Sequence, residues 1–164
     1  MPLNGEILEI GTGKGHFAIV LARRGFRFVT VDVSSEAQDS ARLNARYFGL
    51  EEFIDFRTED ARRLSFPDAS FEAIFSVNVF HHLNEPYAVL NEALRLLRNS
   101  GKIILSDFTD KGLQIINACH SREGKQHDYF KRRLEGAKDY FTQEGFVVRE
   151  SQTEVQKVII ALRD

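Results

Sequence analysis

Short apolar runs alternate along the chain with longer stretches in which apolar residues recur every three or four positions. Gly5–Ile10 (GEILEI) is such a run, ending in a glycine-rich turn. Phe26–Asp32 (FRFVTVD) alternates and is rich in β-branched residues. Phe53–Thr58, Phe71–Val77 (FEAIFSV) and Lys102–Phe108 (KIILSDF) continue the series of predicted strands. Helices are predicted between them. His16–Arg24 carries Phe17, Val20 and Leu21 on one face and stops at Gly25. Ser34 or Ser35 caps the next helix, whose stripe is Ala37, Ala41, Ala45 and Phe48 and which ends at Gly49. A third helix takes Asn84 as its N-cap and Pro86 in its first turn, with Leu90, Ala93, Leu94 and Leu97 as its apolar stripe. Asn99-Ser100-Gly101 is expected to stop it. Residues 110–144 read as polar and helical, and two last strands are expected near 146–153 and 156–162.

A strand–helix alternation of this kind predicts parallel strands joined by right-handed crossovers, with helices on both faces of one sheet. No repeat, low-complexity tract or linker interrupts it, so residues 1–164 are expected to form a single α/β domain. Ligands of such sheets bind outside the carboxyl ends of the strands, where strand order reverses. That rule singles out residues 11–16, 32–34, 60–61, 76–82 and 107–110.

Composition narrows the setting without naming a chemistry. The 164 residues are 43% hydrophobic and 28% charged, an ordinary globular balance. A net charge of −2 provides no electrostatic reason for nucleic acid or an anionic membrane as partner. The single cysteine rules out an internal disulfide, and no apolar run approaches the roughly 20 residues of a membrane span. The N-terminus carries no basic segment followed by an apolar stretch, so a cytoplasmic setting is expected.

The chemistry concentrates in four segments. Glu9-Ile10-Gly11-Thr12-Gly13-Lys14-Gly15 stands at the first strand-to-helix turn, where glycines and free N–H groups let a ligand approach the backbone. A phosphate-binding loop needs Ser or Thr after the lysine, and here Gly15 follows. A dinucleotide fingerprint needs a third glycine where His16 stands. Asp32 closes the second strand, at the distance from the glycine loop at which a carboxylate accepts both hydroxyls of an unphosphorylated ribose. Glu59-Asp60-Ala61 follows the third strand, and Ser76 to Leu83 (SVNVFHHL) follows the fourth.

Together the segments EIGTGKG, VDVS, EDARRLSFPDASFEAIFS, VFHHL and LRNSGKIILSDF, spread over residues 6–108, resemble class I S-adenosylmethionine-dependent methyltransferases. The closest likeness is to the small-molecule branch that includes ubiquinone- and menaquinone-biosynthesis enzymes. The resemblance implies a Rossmann-like seven-stranded, mostly parallel sheet of order 3-2-1-4-5-7-6 with the seventh strand antiparallel. It implies S-adenosylmethionine as cofactor, with Gly11 and Gly13 facing its methionine part and Glu9 fixing the loop or the ammonium group. Asp32 would hold the ribose, Asp60 would accept from the adenine amino group, and the Ala61 N–H would reach a ring nitrogen. Ser76 and Asn78 would lie near the ammonium and sulfonium. Members of this class usually carry a helix before the first strand, whereas Pro2-Leu3-Asn4 precedes it here.

The acceptor is narrowed by exclusion. Asn78-Val79-Phe80-His81 is not the [DN]-P-P-[YF] of adenine amino methyltransferases, and Cys119 follows alanine where cytosine-C5 enzymes need Pro-Cys. Lys131-Arg132-Arg133 is interleaved with Asp128, Glu135 and Asp139, as on a solvated helix face, and no nucleic acid is expected. The expected function is methyl transfer to a small molecule; a non-catalytic cofactor-binding module is the alternative, and self-association stays open. His81, His82 and His120 are the candidate general bases. His120, Glu123 and His127 share a helical face, for which a solvated surface, an acceptor-orienting set and a metal site all stay open; no metal is assigned. Residues 110–144 are expected to serve as a substrate lid.

Overall fold

The computed structural model describes residues 6–122 and 133–163. Its strands are β1 (Ile7–Ile10), β2 (Phe28–Asp32), β3 (Ile54–Thr58), β4 (Phe71–Val77), β5 (Leu97–Phe108), β6 (Val147–Gln152) and β7 (Gln156–Leu162). Its helices are α1 (His16–Arg23), α2 (Ser35–Tyr47), α3 (Pro86–Leu96), α4 (Asp110–Arg122) and α5 (Arg133–Gln143), with single 3₁₀ turns at Glu51–Phe53 and Phe80–His82. The sheet order is β3-β2-β1-β4-β5-β7-β6, parallel as far as β5 and antiparallel at β7, as expected.

The central strands β1, β2, β4 and β5 divide their residues between two cores. Leu8, Ile10, Val31, Ile74, Ile103 and Leu105 pack under α3 and α5, whereas Ile7, Phe28, Ile54, Ala73 and Phe75 pack under α1 and α2. The period-2 alternation of a strand buried on both faces produces this division. Glu9 and Thr30 stand opposite each other in the β1–β2 register, so both fall on one face of the sheet.

Several local expectations are corrected. On α1 the buried residues are Ala18, Ile19, Leu21 and Ala22, with Val20 exposed; on α2 they are Gln38, Ala41 and Ala45, with Phe48 on the surface. Glu85, not Asn84, stands at the N-cap of α3 and makes no side-chain cap bond; its carboxylate pairs with Arg62 instead, and Pro86 takes the first helical position. Asn99-Ser100-Gly101 does not end that helix. The helix ends at Leu96, and residues 98–101 form a bulge in β5 between Leu97, paired with Phe71, and Lys102, paired with Ala73.

Residues 110–144 divide into parts with different roles. Leu134, Ala137 and Phe141 of α5 are buried in the core, which makes α5 the ordinary crossover helix to β6 rather than part of a lid. By contrast, the start of α4 is tied to the turn between β6 and β7. The Thr109 N–H donates to the Val155 carbonyl at 3.1 Å, and Thr109 Oγ1 donates to the Glu154 carbonyl at 2.6 Å. Gly112 lies so close to Val155 that a Cβ there would sit 2.2 Å from its carbonyl oxygen. Leu113 and Ile116 are half-buried.

Candidate active site

All parallel strands end at one edge, and the loops leaving that edge surround a cavity of about 600 Å³. Its wall includes Glu9, Gly11, Gly13, Asp32, Asp60, Ala61, Asn78 and His82. Seven of the eight expected cofactor residues are therefore brought together; Ser76 is not among them. Ser76 points into the core on the α3 side of β4, and its buried Oγ has no hydrogen-bond partner among the described residues.

The turn after β1 is shaped by positive φ. Gly11, Gly13 and Gly15 have φ of 88°, 51° and 78°, a region that costs other residues energy. At Gly11 space matters as well, since a Cβ there would stand 2.2 Å from Val79 Cγ2. At Gly13 a Cβ would meet nothing within 4 Å, so this part of the backbone lies open to the cavity. The Gly13 N–H donates to Asp32 Oδ2 at 2.8 Å, and the Ser34 N–H donates to Asp32 Oδ1 at 3.0 Å. Each Asp32 oxygen keeps one further lone pair, a fit for two vicinal hydroxyls.

Beneath the glycine turn lies a chain of hydrogen bonds. Thr30 Oγ1 donates to Glu9 Oε2 at 2.6 Å, so its own acceptor side meets the Thr12 hydroxyl, also at 2.6 Å. Gln38 Nε2 donates to Thr12 Oγ1 at 3.0 Å and to the Arg57 carbonyl at 2.7 Å, which fixes the orientation of its amide. Every bond in the chain Gln38–Thr12–Thr30–Glu9 thus points toward the carboxyl. Burial pushes the Glu9 pKa up from 4.5 to about 8; the Thr30 hydroxyl offsets this in part and the Asp32 charge adds to it. Spacing could have found Gln38, because positions 38, 41 and 45 share one helical face with the two buried alanines.

The loop after β4 turns sharply at Asn78, whose φ is 58°. Its N–H donates to the Ser106 carbonyl at 2.7 Å, and its Oδ1 accepts from Gln156 Nε2 at 2.7 Å. The two histidines that follow have separate positions. His82 lines the cavity; His81 is buried behind it, with ring centroids 3.9 Å apart. His81 Nδ1 lies 2.6 Å from Asp107 Oδ1, and the His81 N–H donates to Asp107 Oδ2 at 2.9 Å. The Phe108 N–H donates to Asp107 Oδ1 at 2.8 Å, so three groups surround this buried carboxylate. The His120 side chain, Glu123, His127 and Phe130 lie outside the described residues, and no metal-binding group is found among those described.

An open, mostly parallel sheet with a glycine turn after β1 and a carboxylate closing β2 defines a nucleoside-binding α/β domain of the Rossmann type. Residues 8–105, more than half of the chain, match the methyltransferase domain family, and the chain belongs to that family. Over 104 residues the chain is 32% identical to 27-O-demethylrifamycin SV methyltransferase of Amycolatopsis mediterranei (strain S699), covering 63% of this chain and 38% of that protein. It is 28% identical over 106 residues to the ubiquinone biosynthesis O-methyltransferase of Xanthomonas axonopodis pv. citri (strain 306), covering 64% and 44%. The chain thus spans less than half the length of these relatives. A SAM-dependent methyltransferase from Aquifex aeolicus superposes with a TM-score of 0.74 at 18% identity, covering 99% of this chain and 85% of that one, a likeness of fold. Among the described residues no helix is long and apolar enough to cross a membrane.

Proposed function

We propose that this protein transfers the methyl group of S-adenosylmethionine to a small-molecule acceptor that approaches from the His82 side of the cavity. One observation carries the reading: Gly11, Gly13 and Asp32 face a single cavity whose wall also includes a histidine. The cofactor supplies an activated methyl on a sulfonium leaving group. The chain's own work is to bind, align and exclude water. Gly11 and Gly13 let the cofactor lie against the backbone, and Asp32 holds the ribose. Asp32, Glu59, Asp60 and Glu85 outnumber Lys14 and Arg62 on the cavity wall, a balance that favours a cationic ligand.

His82 is the general base of this proposal, for an acceptor whose oxygen or nitrogen must lose a proton. His81, gripped by Asp107 and packed against His82 at a tilt, orients it. His120 would join them from α4. The cover over the acceptor falls to α4, because α5 is taken up by the core. Relatives named as O-methyltransferases support a small acceptor, and a cytoplasmic location accords with that chemistry.

The test combines native mass spectrometry of the purified protein with turnover of radiolabelled S-adenosylmethionine on fractionated small-molecule extracts. Retained S-adenosylmethionine or S-adenosylhomocysteine, with label passing to a small molecule, is the expected result. Cofactor binding without turnover on any fraction would favour the non-catalytic binding module. Retained nicotinamide dinucleotide would overturn both.

A further inference from the structure

Arg62 lines the cavity with its guanidinium held from two sides. Nε donates to Asp60 Oδ1 and Oδ2 at 3.1 and 3.0 Å, and Nη2 donates to Oδ2 at 2.7 Å. Nη1 donates to Glu85. Asp60 follows β3 and Glu85 precedes α3, so the guanidinium bridges two separate loops, and both carboxylates line the cavity. The Arg62 N–H also donates to Asp60 Oδ1 at 2.9 Å. Three N–H groups, the Nε–H shared between both oxygens, therefore already engage the Asp60 carboxylate. The carboxylate expected to accept from an adenine amino group is engaged by the chain's own arginine.

An exposed ion pair usually contributes little, because two long side chains must be ordered to make it. Here one guanidinium is fixed by two carboxylates from separate loops. Three of its five N–H groups are turned to those partners, and its planar face can stack on a ligand. Guanidinium faces stack on aromatic rings, a preference that lysine, with a compact ammonium, does not share.

We propose that Arg62, braced by Asp60 and Glu85, is the platform on which the cofactor's adenine stacks. In this arrangement Asp60 is a positioning residue that acts on the base through Arg62. The proposal rests on the assignment of S-adenosylmethionine as cofactor. It makes the site a reader of the purine's face more than of its 6-amino edge.

The test measures, by calorimetry, the affinity of S-adenosylhomocysteine and of its analogue with the purine 6-amino group replaced by hydrogen. The wild-type protein should bind the two within about threefold of each other. Arg62→Lys, which keeps the charge and loses the planar face, should weaken both by about tenfold. Asp60→Asn should weaken both alike, and the Asp60→Asn/Arg62→Lys double variant should be no weaker than Arg62→Lys alone. Urea unfolding midpoints establish that the variants fold. Glu85→Gln, which leaves the Asp60 pair intact, provides a second variant and should weaken both ligands by about threefold.

An analogue that binds the wild-type protein tenfold or more weakly, with the difference abolished in Asp60→Asn, would overturn the proposal, because Asp60 would then read the amino group directly. Unchanged affinity in Arg62→Lys would overturn it too. A wild-type protein that binds neither ligand would remove the cofactor assignment and the platform with it.

Discussion

The Gly13 N–H donates to Asp32 Oδ2 at 2.8 Å, tying the turn after β1 to the end of β2. The other oxygen of the same carboxylate accepts from the Ser34 N–H, and Ser34 Oγ caps α2 by accepting from the Ala37 N–H at 3.1 Å. One side chain thus organises the glycine turn and the segment leading into α2 while facing the cavity.

Asp32→Ala is accordingly expected to do two things. It should weaken S-adenosylhomocysteine binding by about 1.5–3 kcal/mol, through loss of a charged acceptor shared by two ribose hydroxyls. It should also lower stability by about 1 kcal/mol, because two turn N–H groups lose their partner. Calorimetry and urea denaturation separate the two effects. A stability loss with unchanged affinity would reduce Asp32 to a turn-forming residue.

Glu9 makes stability depend on pH in an unusual direction. With its folded pKa raised to about 8 from 4.5, the native state holds more protons than the unfolded chain between those values. The stabilisation linked to the protonated carboxyl is full below pH 4.5, declines through the window and is gone above about 8. Its size is on the order of a few kcal/mol. Carboxylates lowered by arginine partners, such as Asp60 and Glu92, titrate below this window and have the opposite slope. Urea unfolding of the wild type and Glu9→Gln at pH 5 and pH 8 is the check. Glu9→Gln keeps the acceptor for Thr30 and should lose most of the fall; equal slopes would refute the assignment.

The two glycines of the first turn should respond differently to an added methyl. Gly11→Ala combines φ of 88° with a Cβ 2.2 Å from Val79 Cγ2, and should cost more than about 2 kcal/mol of stability while abolishing measurable cofactor binding. Gly13→Ala meets open space and pays only for its φ of 51°, about 1 kcal/mol. Adding Val79→Ala should recover part of the stability of Gly11→Ala and none for Gly13→Ala. Equal costs at the two positions would contradict the packing argument.

Asp107 supports His81 from inside the sheet. Removing its carboxylate takes an acceptor from the His81 N–H, the His81 Nδ1 and the Phe108 N–H, in a buried or half-buried setting. Asp107→Ala should therefore destabilise the protein by about 3 kcal/mol in urea, and Asp107→Asn by less, since its amide oxygen still accepts. Cofactor affinity should hardly move in Asp107→Asn. Once an acceptor is in hand, its KM or kcat should change.

Much of the architecture was legible in the chain because it depends on local periodicity. Alternation at Phe28–Asp32, the Ser34 cap and the glycines at 11, 13 and 15 each act within a few residues, and their order along the chain dictates a parallel sheet with its ligand at the carboxyl edge. The candidate cofactor residues could be picked out for the same reason, since each lies close to the carboxyl end of a parallel strand.

Other features were decided only by tertiary contacts. That Ser76 turns into the core whereas Asn78 faces the cavity follows from the phase of β4 and the positive φ after it. That His81 is gripped by Asp107 while His82 faces the cavity depends on β4 and β5 lying side by side, 26 residues apart in sequence. The uptake of α5 into the core came from Leu134, Ala137 and Phe141 meeting the sheet. The bracing of Arg62 by Glu85, across 23 residues of chain, likewise needs two loops brought together. Sequence by itself determined which residues stand at the strand ends, because that is a matter of local periodicity. Only the folded structure decided which of them touch, because a contact depends on the distance between segments that the chain keeps apart.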